Sequence, residues 1–192
     1  MYHIKSDKRS QTSARLLSEG LINCMKHKDF AQITITDIQR ASGVGRSTFY
    51  RLFDNIADVL AYMCDTQFTE SLGRIPTIKH LSNDEFSKAI IAAMMQKEDI
   101  ITAIAKSGRY DIMFNSAKTC AVNVRKVIVE KYNVDSNSLL SDNQLDYFVA
   151  TFLCSVITCL SIWISHGRSE TVDEVYDCMV YPFRQFEKYA NK

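Results

Sequence analysis

Within Arg46-Ser47-Thr48-Phe49-Tyr50-Arg51 the chain gathers two guanidiniums, two aliphatic hydroxyls and a phenol. Guanidiniums pair with phosphate oxygens or with the acceptor edge of guanine, and hydroxyls bind phosphate or base edges, so the chemistry on offer is polyanion and base-edge recognition. At roughly 100° per residue along a helix, Phe49, Leu52 and Phe53 share one apolar side, while Ser47 and Arg51 oppose it. Thr48 and Tyr50 flank that outer face, and Arg46 stands at its leading edge. Any amphipathic surface helix shows polar groups outward, so spacing alone leaves both readings open.

The neighbouring residues decide how such a helix would be held. Thr34-Ile35-Thr36-Asp37 has the form of a capping box with Asp in place of Glu or Gln, and it opens a short helix expected to carry Ile38 and Ala41 inward. Gly43 then suits a left-handed position that ends the helix, and Val44 can plug the gap before the next one. Upstream, Ala14, Leu17, Leu21, Cys24 and Met25 recur at helical spacing from about Lys8 to Lys28, with Ser6 or Asp7 as N-cap. The third helix covers Arg46 to Phe53, and a fourth starts near Asn55 and runs to about Gly73.

These residues, over positions 8 to 62, resemble the DNA-binding segment of the TetR family of regulators. The matching positions are Thr34, Asp37, Ile38, Ala41 or Ser42, Gly43, Val44, Thr48, Phe49, Tyr50, Phe53 and Leu60 or Val59. The resemblance implies a helix-turn-helix in which Thr48 and Tyr50 contact phosphates and Thr34 and Thr36 clamp the DNA backbone. It also implies that Arg46, Ser47 and Arg51 face bases or nearby phosphates. Three departures reduce the expected anchoring: Gly45 replaces the usual Ser cap, Gln39 a common Ala, and Ile56 a frequent Lys at the start of the fourth helix. Lys5, Lys8 and Arg9 form a basic arm that either adds phosphate or minor-groove contacts or is a solvated, partly disordered terminus.

Further helical patterns fall near Asp84 to Lys97, Glu98 to Lys106, Tyr110 to Asn133, Asn143 to Gly167 and Thr171 to Ala190, after a break at Pro76. Pro182 is expected to end or kink the last of these. No strand is predicted, so the fold class is all-α: a three-helix head, residues 1–55, on a helical regulatory and dimerisation body, residues 56–192. Tyr147 to Ser165 carries no charge over 19 residues, yet Thr151, Ser155, Thr158, Ser161 and Ser165 form a small hydroxyl stripe. That pattern reads as a helix buried on most sides with a close-packing seam, not a membrane span.

The TetR resemblance implies a homodimer through the last two long helices, and the end Trp163 to Gly167 is similar to that of the dihydroxyacetone kinase regulator subgroup. It also places any effector pocket among the middle helices, where Met94, Met95, Ile104, Tyr110, Met113, Phe114 and Cys120 are candidate lining residues or plain core.

The composition fits this reading. With 192 residues, 46% hydrophobic, 6 Gly and 2 Pro, the chain is long enough to bury a core and poor in turn formers. Residues 1–55 hold nine Lys/Arg against five acids, a net +4, and the remainder is −3, which suits a polyanion-binding head on a near-neutral body. Six scattered cysteines without a Cys-x-x-Cys pair or secretory signal read as reduced thiols of a cytoplasmic protein.

His80 and His166 show no carboxylate or Cys at ligand spacing, so no metal site and no cofactor is expected. No nucleophile motif, phosphate loop or paired carboxylates suggest an enzyme. The functional expectation is a sequence-specific transcription regulator binding an operator in double-stranded DNA, a small-molecule-responsive repressor. The alternative is a DNA-binding regulator controlled by a protein partner.

Overall fold

A cap sets where each helix begins. In a computed structural model, which describes residues 1–74, 82–96, 98–119 and 142–190, Asp7 accepts from the Ser10 amide at 2.9 Å and opens α1, Lys8–Met25. Ala14, Leu17, Leu21 and Met25 are its buried stripe, as their spacing predicts, and Cys24 is half-buried. A short 3-10 turn, Phe30–Gln32, leads into α2, Ile35–Ser42, and α3 follows over Arg46–Leu52. α4, Ile56–Arg74, leaves the head. The body comprises α5 (Asn83–Met95), α6 (Glu98–Ser107), α7 over residues 110–119, α8 (Asp142–Ser165) and α9 (Val172–Ala190).

The fold is all-α. α1 packs on α2, α3 and α4 around Leu17, Leu21, Ile38, Phe49, Leu52, Phe53 and Leu60, all at or near zero exposure. In the body, α8 packs on α6 and α9, and α5 lies against α9. Leu153, Val156, Leu160, Trp163, Val175 and Met179 face inward there. α4 touches both α5 and α6, and α1 touches α6, so the head is joined to the body along packed side chains.

Polar ties fix the body helices in register. Tyr176 on α9 donates to Asp84 at 2.7 Å, with the Lys88 ammonium and the Arg184 guanidinium over its ring at 5.3 and 5.8 Å. Burial and the Asp84 carboxylate push its phenol up to about 12. At the α8–α9 turn Gly167 and Arg168 take left-handed backbone, φ 81° and 64°. Arg168 is a non-glycine in that region, which costs roughly 1–2 kcal/mol. Its guanidinium reaches Glu98 at 2.6 Å and Thr102 at 3.4 Å on α6, and the Trp163 indole donates to the Glu170 carbonyl at 2.9 Å.

Four expectations need correction. α9 continues through Pro182 instead of ending there; the proline removes one amide donor, so the Cys178 carbonyl loses its helical partner. Ala41 is exposed, and the inward residues of α2 are Ile38 and, partly, Ile35.

α8 is not buried on most sides either. Phe148, Thr151, Thr158, Ile162 and Ser165 are exposed in the single chain, and among the described residues no helix is long and apolar enough to cross a membrane. The first residues are not loose. Tyr2 bridges Phe53 in antiparallel fashion, the His3 amide donates to the Leu52 carbonyl at 2.8 Å, and the Tyr2 phenol donates to Asp65 at 2.6 Å. Lys5, Lys8 and Arg9 themselves remain exposed. Pro76, Cys120, His80 and the predicted stretch to Asn133 lie outside the described residues.

Candidate nucleic-acid interface

The start of α2 is built around one carboxylate. The Thr34 amide and hydroxyl donate to Asp37 Oδ2 at 2.9 and 2.7 Å, and the Asp37 amide donates back to the Thr34 hydroxyl at 3.2 Å. Lys28, from the turn after α1, adds its ammonium at 2.9 Å. Lys28 and the Thr34 donors hold Asp37 well below the usual carboxylate range. The ammonium also neutralises an anion that would otherwise repel phosphate from this helix end. Thr34 is thus committed to the cap, while Thr36 is exposed on the first turn.

Gly43 turns the chain at φ 70°, with its amide on the Gln39 carbonyl. Val44, nearly buried, plugs the turn, and its amide donates to Ser42 Oγ at 3.2 Å. No side chain caps α3, since Gly45 stands at its N-cap.

α3 buries Phe49 and Leu52 and presents Arg46, Ser47, Tyr50 and Arg51 outward, with Thr48 half-exposed. Tyr50 is an aromatic left 47% exposed on the head. The Arg46 guanidinium lies 5.5 Å from its ring centre, and Nη2 donates to the phenol oxygen at 3.3 Å. Arg46 and Tyr50 therefore form one cationic unit at the leading edge of α3, a pairing one helical turn apart. Tyr50 in turn meets buried Phe49 edge-on at 5.6 Å. Thr36 and the α3 residues are placed on the outer side of the head; Thr34 serves the cap beside them.

The sequence reading missed the charge at the next helix end. Asp54 and Asp58 flank Ile56 at the start of α4, where Asn55 and Asp58 cap each other at 3.0 and 3.2 Å. The Met1 ammonium reaches Asp58 and Asp54 at 2.6 and 2.9 Å, and the His3 ring nitrogen lies 3.0 Å from Asp54. Only contacts over fifty residues in sequence reveal this, and no local spacing signals it.

Of the expected pocket residues, Met94, Ile104 and Met113 are buried in the core and Met95 is half-buried. Tyr110 and Phe114 expose their side chains. A groove of about 900 Å³ runs between α7, α8 and α9, with Phe114 in its wall together with Thr151, Cys154, Cys159, Cys178 and Met179. A second cavity, about 1300 Å³, lies between head and body and is lined by Ile4, Arg15, Tyr62, Gln67 and Ile100 among others.

His166 does have a carboxylate at helical spacing: Glu170 Oε1 stands 3.3 Å from its Nδ1. Even so, among the described residues no group of three or more His, Cys, Asp or Glu is arranged to hold a metal ion.

No family model and no curated protein sequence matches the chain. Several solved structures do. Lin0861 from Listeria innocua superposes with a TM-score of 0.72 at 16% identity, over 96% of both chains. A TetR transcriptional regulator from Streptococcus agalactiae superposes with a TM-score of 0.58 at 19% identity, over 89% of this chain and 93% of that one. The fold of this chain is TetR-like.

Proposed function

We propose that the chain is a sequence-specific DNA-binding transcription regulator, a small-molecule-responsive repressor acting as a homodimer and performing no catalytic step. The observation that carries this is the outer face of α3. A seven-residue helix, held from behind by Phe49 and Leu52 and preceded by a capped helix and a left-handed glycine, offers Arg46, Ser47, Tyr50 and Arg51 to solvent together. Such a face suits a major groove, with Thr36 and Thr48 beside it for phosphates. In this reading residues 1–55 form the DNA head and 56–192 the regulatory body.

The dimer would form through α8 and α9. Phe148, Thr151, Ser155, Thr158, Ile162 and Ser165 recur at helical spacing along one face of α8, and Tyr181 is exposed on α9. The hydroxyls of Ser155, Thr158 and Ser161 donate to the carbonyls one turn back at 2.9, 2.9 and 3.0 Å. They are satisfied before any partner arrives, which lowers the cost of burying that face. Two half-sites roughly 34–36 Å apart then define the operator geometry.

An effector entering the body beside Met94, Met95, Ile104, Tyr110, Met113 and Phe114 would act through α6, which packs on both α1 and α4. The same exposed apolar residues favour a second reading, in which a different protein covers α8 and α9 and controls the head.

The direct test is selection of DNA by the purified chain, followed by gel retardation. Tyr50→Ala and Arg51→Ala are each expected to weaken retardation roughly tenfold or more, the size of one lost base or phosphate contact. Unchanged binding by both would overturn the assignment of α3.

A further inference from the structure

The body carries a pair of cysteines that DNA recognition does not use. Cys159 on α8 and Cys178 on α9 stand at similar distances along the chain on either side of the Gly167–Arg168 turn. α8 and α9 pack against each other directly, which brings both positions to one helix pair. Both line the groove between α7, α8 and α9, with Cys154 and Met179 beside them. Burial first, and then Cys178, raise the Cys159 thiol.

We propose that Cys159 and Cys178 form a reversible thiol–disulfide pair, oxidised by hydrogen peroxide or a low-molecular-weight disulfide, at the edge of the α8–α9 face. Packed helix axes lie roughly 8–10 Å apart, and a disulfide needs Cα atoms about 4.4–6.8 Å apart, so the link requires α8 and α9 to approach at this level. Pro182 makes that approach easier. It removes the amide that would bond the Cys178 carbonyl and loosens α9 at this turn.

The other thiols are less suited. Cys64 is buried and pushed up to about 12, and Cys24 sits in the head. Cys154 lies on α8 with Cys159, without a facing cysteine of α9 at its own level.

Exposure assigns the order of events. Cys178 is exposed and Cys159 half-buried, so the oxidant meets Cys178 first. The Cys178 thiolate, its proton released to solvent, attacks a peroxide oxygen; the O–O bond breaks, the sulfur gains a hydroxyl, and hydroxide leaves and takes up a proton. The Cys159 thiolate then attacks the sulfenic sulfur, the S–S bond forms, and the hydroxyl leaves as water. Overall two thiols lose two protons and two electrons, and one peroxide becomes two waters. A dithiol reverses the step. Thr151, Ser155 and Thr158 share the groove with this pair and the α8 face with Phe148, so the link also alters the surface proposed above for pairing.

The experiment uses the full chain, reduced, then treated with hydrogen peroxide or oxidised glutathione, alkylated, digested and read by mass spectrometry. The expected product joins the peptides containing Cys159 and Cys178, lacks two hydrogens and returns to free thiols with dithiothreitol. In Cys159→Ser, treated with dimedone, Cys178 is expected as the sulfenic adduct; in Cys178→Ser the Cys159 adduct is expected to be absent. Circular dichroism confirms that both variants fold.

A Cys178 link to Cys154, to Cys120 or to a second chain, or no link at all, would overturn the pair. Its effect on pairing rests on the proposed dimer and is read separately by sedimentation. A linked chain sedimenting like the reduced one would overturn that effect and leave the site standing.

Discussion

At Asp37 one carboxylate oxygen takes donors from Lys28 and from both the amide and the hydroxyl of Thr34. The ionised form is stabilised in the folded head, so its contribution is full above the ordinary carboxylate value near 4 and is lost as pH falls below it. Asp37→Asn is therefore expected to lower the melting temperature at pH 7, and the difference from the parent chain should shrink steadily as pH drops below about 4. A difference that stays constant from neutral to strongly acid pH would refute the pairing as its source. The Thr34–Asp37 half of this arrangement is legible in the sequence, because a capping box has a local spacing. Lys28 is not, because it belongs to another element and arrives across the 3-10 turn.

Gly20 shows the same divide between elements. A glycine inside α1 costs roughly 1 kcal/mol of helix propensity against alanine, with no local reason for its presence. The reason is α2. A Cβ at Gly20 would stand 2.9 Å from the Ser42 Cβ and 3.1 Å from the Ile38 carbonyl oxygen. Gly20→Ala is expected to destabilise the chain by about 1–3 kcal/mol despite the gain in propensity, because α2 has to move away from α1. Thermal unfolding measures it, and an unchanged or raised melting temperature would mean that α2 yields freely.

The helices themselves were readable from apolar spacing and caps, and Gly43 from its place after α2. Ala41 and Pro182 were not. Small side chains bury only if a neighbour crosses at their level, and a helix held by Tyr176, Val175 and Met179 tolerates the loss of one backbone bond.

Across the whole molecule, the exposed apolar residues of α8 and α9 are the surface proposed for pairing. Phe148 is 56% and Ile162 49% exposed, and Phe148 stacks on Phe152 at 6.4 Å. Phe148→Glu or Ile162→Glu would bring two like charges together across a two-fold axis without touching the buried core. Each is expected to shift the chain toward monomer by tenfold or more in sedimentation equilibrium, while helicity by circular dichroism stays unchanged. Retention of the dimer by both variants would move the interface elsewhere and strengthen the reading in which another protein covers this face. Weaker DNA retardation should accompany the monomer, since one half-site binds with little specificity.

Local rules account for what the sequence determined by itself: an all-α chain, the capped α2, the glycine turn and a short α3 with Phe49, Leu52 and Phe53 behind its polar face. Periodicity, caps and backbone preference act over a few residues, and those features need no more. Tertiary structure decided the rest. It placed Lys28 on Asp37, Tyr2 on Phe53 and Asp65, and Cys159 and Cys178 along one groove. Most of these pairings depend on which helix faces crowd together once the core closes, and apolar burial, which has no direction of its own, chooses those faces only for the chain as a whole.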